Sequence, residues 1–272
     1  MLPMKNFAIL LLLTALGLTG AFASEIDDGS AVSLRQSGEL YLPSDNPSDD
    51  LHEALVRASA NNKRVLVVMG ANWCHDSRAL ASRLYLEPLA TLIAGHYEVV
   101  FVDVGYLEKG RDLITGIGPP VYYATPTVLI LDPASGQLVN AGNRHQWGDA
   151  YSISMEESVA YFQTMAALDL STGADEAGTT GELAALLSEI DAWEQLQADR
   201  VYAAYSVIGP MLRAYKEGNE PEHFEEYWSE VRDFRMKVPL DADGLRKEAR
   251  ERLSAGESSI TLNYPKYPGF SW

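Results

Sequence analysis

A run of apolar residues in the first third of the chain predicts a buried strand that leads into a helix. Residues 65–69 are all apolar and are followed by Gly70. Beyond the turn, Leu80 and Leu84 are four residues apart, a spacing that places side chains on one face of a helix. The only cysteine, Cys74, stands at the predicted first turn of this helix. Unpaired backbone N–H groups at a helix start stabilise a thiolate, so this position favours a reactive thiol.

The rest of the first 170 residues alternates short helices with strands. Residues 24–50 are polar and turn-rich, which predicts an irregular lead-in with a helix cap at Ser48 or Asp49. Pro88 predicts a break after the cysteine helix and a second short helix at residues 89–93. Further helices are predicted at residues 51–61, 74–85, 107–114 and 154–168, and strands at residues 65–69, 98–104, 127–131 and 137–140. This order predicts an α/β fold with a central sheet of four strands and helices on both faces.

The last hundred residues have a different character, and their pattern predicts helices alone. Residues 171–181 are rich in Ser, Thr and Gly and read as a linker to a helical region at residues 182–272. Four helices are predicted there, at residues 183–196, 201–215 (interrupted at Gly209 and Pro210), 223–236 and 243–254. The tail, residues 264–272, is rich in aromatic residues. We expect it to pack against the body of the protein, with contact to a partner as the alternative.

Two short motifs resemble those of thioredoxin-like proteins. Residues 73–77 read W-C-H-D-S, which is similar to the W-C-x-x-C motif with Ser77 in place of the second cysteine. Residues 124–127 read A-T-P-T and resemble the family's T-P-T segment, in which the proline peptide is cis and faces the cysteine. The order of elements over residues 51–170 resembles the group that includes periplasmic thiol-disulfide interchange domains. The resemblance implies a thioredoxin-like fold, a central mixed sheet flanked by helices, followed here by an all-helical C-terminal extension.

The resemblance makes Cys74 the candidate nucleophile of thiol–disulfide exchange. That reaction needs a thiolate at the attacking position and access for a second sulfur. Ser77 cannot release a mixed disulfide as a second cysteine would, but its hydroxyl can donate a hydrogen bond to the thiolate. A CxxS site of this kind forms mixed disulfides with protein thiols or disulfides, or with glutathione, and another thiol must resolve them. The implied substrate-binding residues are Trp73, His75, Thr125 and Pro126.

Residues 1–23 have the pattern of a signal peptide. Lys5 gives a positive start, residues 7–18 an apolar core, and residues 21–23 a small-x-small cleavage site. The apolar core is shorter than the roughly 20 residues that span a bilayer, which favours cleavage over the alternative of an uncleaved anchor. We therefore expect an exported protein, most simply a periplasmic one. Exported proteins usually pair their cysteines, so an unpaired one suggests a reactive thiol or an intermolecular disulfide.

Charge and motifs exclude several other classes of function. The formal net charge of −17 argues against nucleic acid and against anionic membrane surfaces as partners. The five histidines are scattered, so we predict no metal site, and no motif implies a cofactor. The competing hypothesis is a redox-inactive thioredoxin-fold module that binds a partner or acts as a chaperone, with Cys74 buried and inert. The reactivity of Cys74 distinguishes the two hypotheses, because both predict the same fold.

Overall fold

The computed structural model describes residues 40–168 and 181–272. The predicted signal peptide, the lead-in up to residue 39 and the linker up to residue 180 lie outside the described residues. The helices are α1 (Pro47–Ala60), α2 (His75–Arg83), α3 (Leu89–His96), α4 (Arg111–Ile117), α5 (Met155–Ala167), α6 (Gly181–Lys216) and α7 (Phe224–Ser254). The strands are β1 (Arg64–Gly70), β2 (Tyr97–Asp103) and β3 (Thr127–Leu131), and a 3₁₀ helix covers Gln146–Asp149. None of the described helices combines the length and apolar character needed to cross a membrane.

A mixed sheet with the strand order β2-β1-β3 lies at the centre of the fold. Strand β1 runs parallel to β2, with Arg64 opposite Tyr97, and antiparallel to β3, with Val65 opposite Leu131. The predicted mixed sheet flanked by helices is therefore confirmed. Every residue of β1 after Arg64 is buried, as expected for a central strand covered on both faces.

The predicted fourth strand, at residues 137–140, is wrong. In the described structure only an isolated bridge joins Leu131 to Leu138. Two backbone hydrogen bonds accompany it, from the Val139 N–H to the Ile130 carbonyl at 2.7 Å and from the Asp132 N–H to the Gln137 carbonyl at 3.0 Å. Beyond them the side chain of Asn140 continues the pairing: its Oδ1 accepts from the Ile130 N–H at 2.8 Å, and its Nδ2 donates to the Val128 carbonyl at 2.9 Å. A buried side-chain amide therefore satisfies part of the edge of β3 that we expected another strand to pair.

The start of α1 lies earlier than predicted. Its cap is Asn46, whose side chain accepts from the backbone N–H of Asp49, and not Ser48 or Asp49 itself. Pro47 occupies the first helical position, where its missing N–H leaves no bond unmade.

Helix α4 lies later than the predicted residues 107–114. Leu107 and Gly110 have positive φ angles of 76° and 85°, a conformation that an α-helix excludes. The break at Pro88 is confirmed, since α2 ends at Arg83 and α3 begins at Leu89. Helix α5 is capped by Ser154 in a capping box with Glu157.

The side chains of β1 alternate between two hydrophobic cores, as the period of a strand requires. Leu66 and Val68 face a core that α2, α3 and α5 close. Val65, Val67 and Met69 face a second core on the other side of the sheet. That second core is completed by α1 and by buried residues of the two C-terminal helices, among them Ala198, Val201, Ile208, Leu212, Val231 and Val238. The helical region and the sheet therefore share one core.

The four C-terminal helices predicted from the sequence are two long helices in the structure. Pro210 lies inside α6 and Pro239 lies inside α7, although proline normally interrupts a helix. Ile208 and Leu212 are buried on either side of Pro210, so tertiary packing outweighs the low helix propensity. The predicted packing of the tail is confirmed in part by Tyr267 and Phe270, which pack against the shared core.

A buried charge network joins the C-terminal helices to the first half of the chain. Glu194 of α6 is 1% exposed and accepts hydrogen bonds from the Tyr123 hydroxyl at 3.0 Å and from Arg144 at 3.1 Å. Arg246 of α7 donates to the other carboxylate oxygen at 2.6 Å and to Asp191 at 2.7 Å. Burial, reinforced by the neighbouring Glu194 carboxylate, raises the pKa of Tyr123, which keeps its hydroxyl protonated as a donor.

A half-buried histidine lies next to this network. The Nδ1 atom of His145 is 3.8 Å from Asp243 Oδ2, across the contact between the loop before the 3₁₀ helix and α7. Burial lowers the pKa of His145, and the Asp243 carboxylate opposes that effect only in part. Burial likewise raises the pKa of Asp243.

Candidate active site around Cys74

Cys74 lies in the turn between β1 and α2, where it is the N-cap residue of the helix. Its side chain is buried, at 7% exposure. The thiol donates to the backbone carbonyl of Thr125 with an Sγ–O distance of 3.1 Å, and the Thr125 hydroxyl lies 3.6 Å from Sγ. The peptide bond between Thr125 and Pro126 is cis. The structure thus brings the two sequence motifs together at the end of the sheet.

Ser77 does not have the contact that we predicted for it. Its side chain is fully buried, and its Oγ has no hydrogen-bond partner among the described residues. The reason is local packing. Ser77 Oγ lies so close to Gly70 that a Cβ added to that glycine would be 2.6 Å away from it. The Tyr41 hydroxyl donates to the Ser77 carbonyl at 3.0 Å and so leaves Ser77 Oγ unbonded. The expected hydrogen bond from Ser77 to the Cys74 sulfur is therefore absent within this part of the chain.

His75 lies at the rim of the site and contacts its neighbour, not the sulfur. Its Nε2 is 3.1 Å from Asp76 Oδ2, and its ring packs edge-on against the exposed ring of Tyr151. Asp76 is buried, and its Oδ1 accepts from the Tyr151 backbone N–H at 2.9 Å. Asp76 therefore fixes the loop after the 3₁₀ helix against the start of α2.

Trp73 connects the cysteine turn to the C-terminal helices. Its indole Nε1 donates to the Gly105 carbonyl at 2.7 Å, and its ring stacks on Tyr106 with 6.3 Å between ring centroids. On its other side it meets Trp228 of α7 edge-to-face, at 6.4 Å. These contacts hold the turn in place and put an aromatic wall beside the thiol.

A cavity of about 610 Å³ opens beside Cys74, a size typical of a small-ligand or peptide site. Its floor is formed by Cys74 and Thr125, and its far wall by the C-terminal helices. The lining residues from those helices include Leu212, Tyr215, Phe224, Trp228, Arg235 and Met236. We call this cavity the cysteine groove.

The far wall of the cysteine groove was not predicted from the sequence. Trp228, Arg232 and Arg235 are spaced four and three residues apart, so they share one face of α7. That spacing was a usable signal for one surface, but it did not indicate which part of the chain the surface would face. In residues 40–168 and 181–272, no group of three or more His, Cys, Asp or Glu side chains is placed to hold a metal ion.

Parts of this chain are similar to known proteins. Residues 46–133 match the sequence model of a family described as thioredoxin-like, a span that contains both Cys74 and the Thr125-Pro126 turn. A solved structure of a disulphide isomerase from Xylella fastidiosa Temecula1 is similar to this chain at 29% identity. The match covers 46% of this chain and 98% of that one, with a TM-score of 0.42. No protein with a curated description matches the chain. The fold is thioredoxin-like, with a helical C-terminal region.

Proposed function

We propose that this protein carries out thiol–disulfide exchange through Cys74 after export from the cytoplasm. The observation that supports the reaction most directly is the position of the thiol. The only sulfhydryl of the chain lies at a helix start, in contact with Thr125, and lines the cysteine groove. The pattern of residues 1–23 supports export, and the periplasm is the simplest destination.

The proposed exchange begins with loss of the Cys74 proton. The thiolate attacks one sulfur of a disulfide R–S–S–R′, forms Cys74–S–S–R and expels R′–S⁻, which takes up a proton. The Thr125 carbonyl accepts the thiol hydrogen bond in the reduced state. Deprotonation frees that carbonyl, so it becomes available to pair with a backbone N–H of an extended client peptide.

Completion of the cycle needs a second thiol from outside the chain. Ser77 has a hydroxyl in place of a thiol, so it cannot resolve the mixed disulfide. A thiol of the client protein, or glutathione, would attack the R sulfur, form a new disulfide and return Cys74 as a thiolate. Isomerisation of client disulfides and removal of glutathione from proteins both follow this scheme.

The first test is the rate at which Cys74 reacts with iodoacetamide in the mature chain, measured from about pH 5 to pH 9. We expect the folded protein to react without denaturation, because the thiol lines the cysteine groove. The same chain unfolded in urea gives the reference rate, and Cys74→Ser gives the background. A native thiol that reacts only after unfolding would overturn the proposal and leave the binding-module hypothesis in its place.

A second test concerns the single-thiol mechanism. The native protein is loaded with a mixed disulfide, and release is followed by mass spectrometry with and without added thiol. We expect no release without added thiol in the unaltered chain, and release by internal attack in Ser77→Cys. Spontaneous release from the unaltered chain would contradict the mechanism, because the chain has no second thiol to cause it.

A further inference from the structure

Arg235 of α7 is a buried cation without a carboxylate partner. It is 6% exposed, and no carboxylate of the described residues lies within ion-pair distance of it. One of its terminal nitrogens donates to the Tyr205 hydroxyl at 3.3 Å, and its guanidinium lies 5.2 Å from the centre of the Trp228 ring. Its Nε atom is buried and has no hydrogen-bond partner. Arginine is rarely buried in this way unless it is paired.

A second strongly buried arginine among the described residues does have a carboxylate partner. Arg144 is 8% exposed, and it is paired with the carboxylate of Glu194 at 3.1 Å. A buried charge is costly unless a charge of opposite sign and hydrogen bonds compensate it. Neither the Tyr205 hydroxyl nor the Trp228 ring carries a full negative charge, so the compensation of Arg235 is incomplete. A bound anion would complete it.

The position of Arg235 indicates which ligand brings that anion. Arg235 and Cys74 line the same cavity. The other charged side chains of this lining are Lys216, Arg232, Glu225 and Asp76, so cations outnumber anions in a chain whose net charge is −17. A lining with more cations than anions favours negatively charged ligands, even in an acidic protein.

We propose that Arg235 binds an anionic group of the substrate, so that the cysteine groove selects thiols and disulfides with a carboxylate close to the sulfur. This inference rests on the proposed exchange at Cys74. The planar guanidinium suits a carboxylate, to which it donates two parallel hydrogen bonds. Two sources supply this chemistry: a small acidic thiol such as glutathione, or an acidic residue next to a client cysteine. Arg235 acts on substrate choice and takes no part in the transfer of sulfur.

The test compares two methanethiosulfonate reagents, one with a sulfonate and one with a trimethylammonium group. With either reagent the Cys74 thiolate attacks the sulfenyl sulfur, forms a mixed disulfide and expels methanesulfinate. The sulfonate stands in for the substrate carboxylate. The measured quantity is the ratio of the anionic to the cationic rate constant, which cancels any change in the intrinsic reactivity of the thiol. The urea-unfolded chain gives the reference ratio.

We expect the native ratio to exceed the unfolded one, and Arg235→Gln to lower it by about tenfold, the effect of one charge-assisted hydrogen bond. Lys237→Gln is the matched control, because it removes one charge from the same helix outside the cysteine groove. It should change the ratio less than about twofold. An equal fall in both variants, or no fall in Arg235→Gln, overturns the role of Arg235 and leaves the exchange reaction standing. Failure of both reagents to label native Cys74 overturns the exchange reaction itself.

Two further measurements on the unaltered chain test the proposal without the variant and identify the source of the anion. If Arg235→Gln does not fold, the proposal is tested by the ratio of rate constants in the unaltered native chain. A ratio equal to that of the unfolded chain, or one that favours the cationic reagent, overturns the proposal. The unaltered chain is then offered oxidised glutathione and two cysteine peptides as disulfides, one with Glu and one with Gln beside the cysteine. Faster exchange with glutathione than with either peptide indicates a small acidic thiol, and faster exchange with the Glu peptide indicates a protein client. Equal rates for all three contradict selection by charge.

Discussion

Glu194 is the buried acceptor of the charge network, and its replacement by glutamine tests how the two halves of the chain are held together. Glu194→Gln keeps the shape of the side chain and removes only its charge. Arg144 then loses its one carboxylate partner, whereas Arg246 keeps Asp191. The variant therefore isolates the effect of leaving a buried guanidinium without its counter-charge.

The size of the effect follows from the burial of the partners. The side chain of Arg144 is only 10% exposed, so water cannot solvate it in place of Glu194 without local opening. Removal of one partner from a buried ion pair costs about 3–5 kcal/mol. We expect a loss near the lower end, about 3 kcal/mol in the free energy of unfolding, because the glutamine oxygen still accepts one hydrogen bond.

The assay is urea unfolding near neutral pH, followed by tryptophan fluorescence and by circular dichroism, whose transitions must coincide. Asp191→Asn is the matched control, because Asp191 accepts from the same arginine but its side chain is 65% exposed. That control should lose less than about 1 kcal/mol. If Glu194→Gln loses no more than Asp191→Asn, burial of the network does not determine its contribution, and the reasoning is refuted.

Two further predictions concern backbone packing and pH. Gly209→Ala should lower the melting temperature, because a Cβ there would clash with the Tyr106 carbonyl, whereas Gly244→Ala, with open space around it, should raise stability by up to about 1 kcal/mol. Equal shifts in the two variants would contradict this contact. The lowered pKa of His145 means that the unfolded chain binds the proton more readily, so the free energy of unfolding should fall as pH drops below about 6.5. Urea unfolding of His145→Gln should show a weaker fall, whereas the exposed His96→Gln should follow the unaltered chain.

Local signals in the sequence were sufficient for the elements next to the thiol. The apolar run before Gly70 predicted a strand buried on both faces, and its side chains do face two cores. Ser154 with Glu157 is a capping box that can be read from spacing alone. Each of these features depends on residues fewer than about eight positions apart, which is the range over which a pattern can be read.

The failures have a common physical cause in contacts between distant segments. The side chain of Asn140 makes two of the hydrogen bonds to β3, which a pattern of apolar and polar residues cannot reveal. Pro210 remains inside a helix because its neighbours are buried against the sheet. In both cases tertiary packing overrides a local preference.

The candidate site was predictable on one side only. Cys74 and the Thr125-Pro126 turn were found through their motifs, and the structure places them in contact. Arg235 and Glu194 carried no comparable signal, because charged residues are abundant in this chain and only the fold shows which of them are buried. The hydrogen bond predicted from Ser77 to the Cys74 sulfur is missing for a steric reason, since the Ser77 hydroxyl packs against Gly70 and Tyr41.

The core shared by the sheet and the C-terminal helices determines what can be removed from this protein. A chain cut after α5 would retain every residue of the thioredoxin-like match, but it would expose the side of the sheet that α6 and α7 cover. Buried tyrosines such as Tyr122, whose carbonyl accepts from Tyr205, would face water. Apolar surface of that extent promotes self-association. The shortened chain should therefore aggregate when expressed, and the smallest soluble unit of this protein includes both long helices.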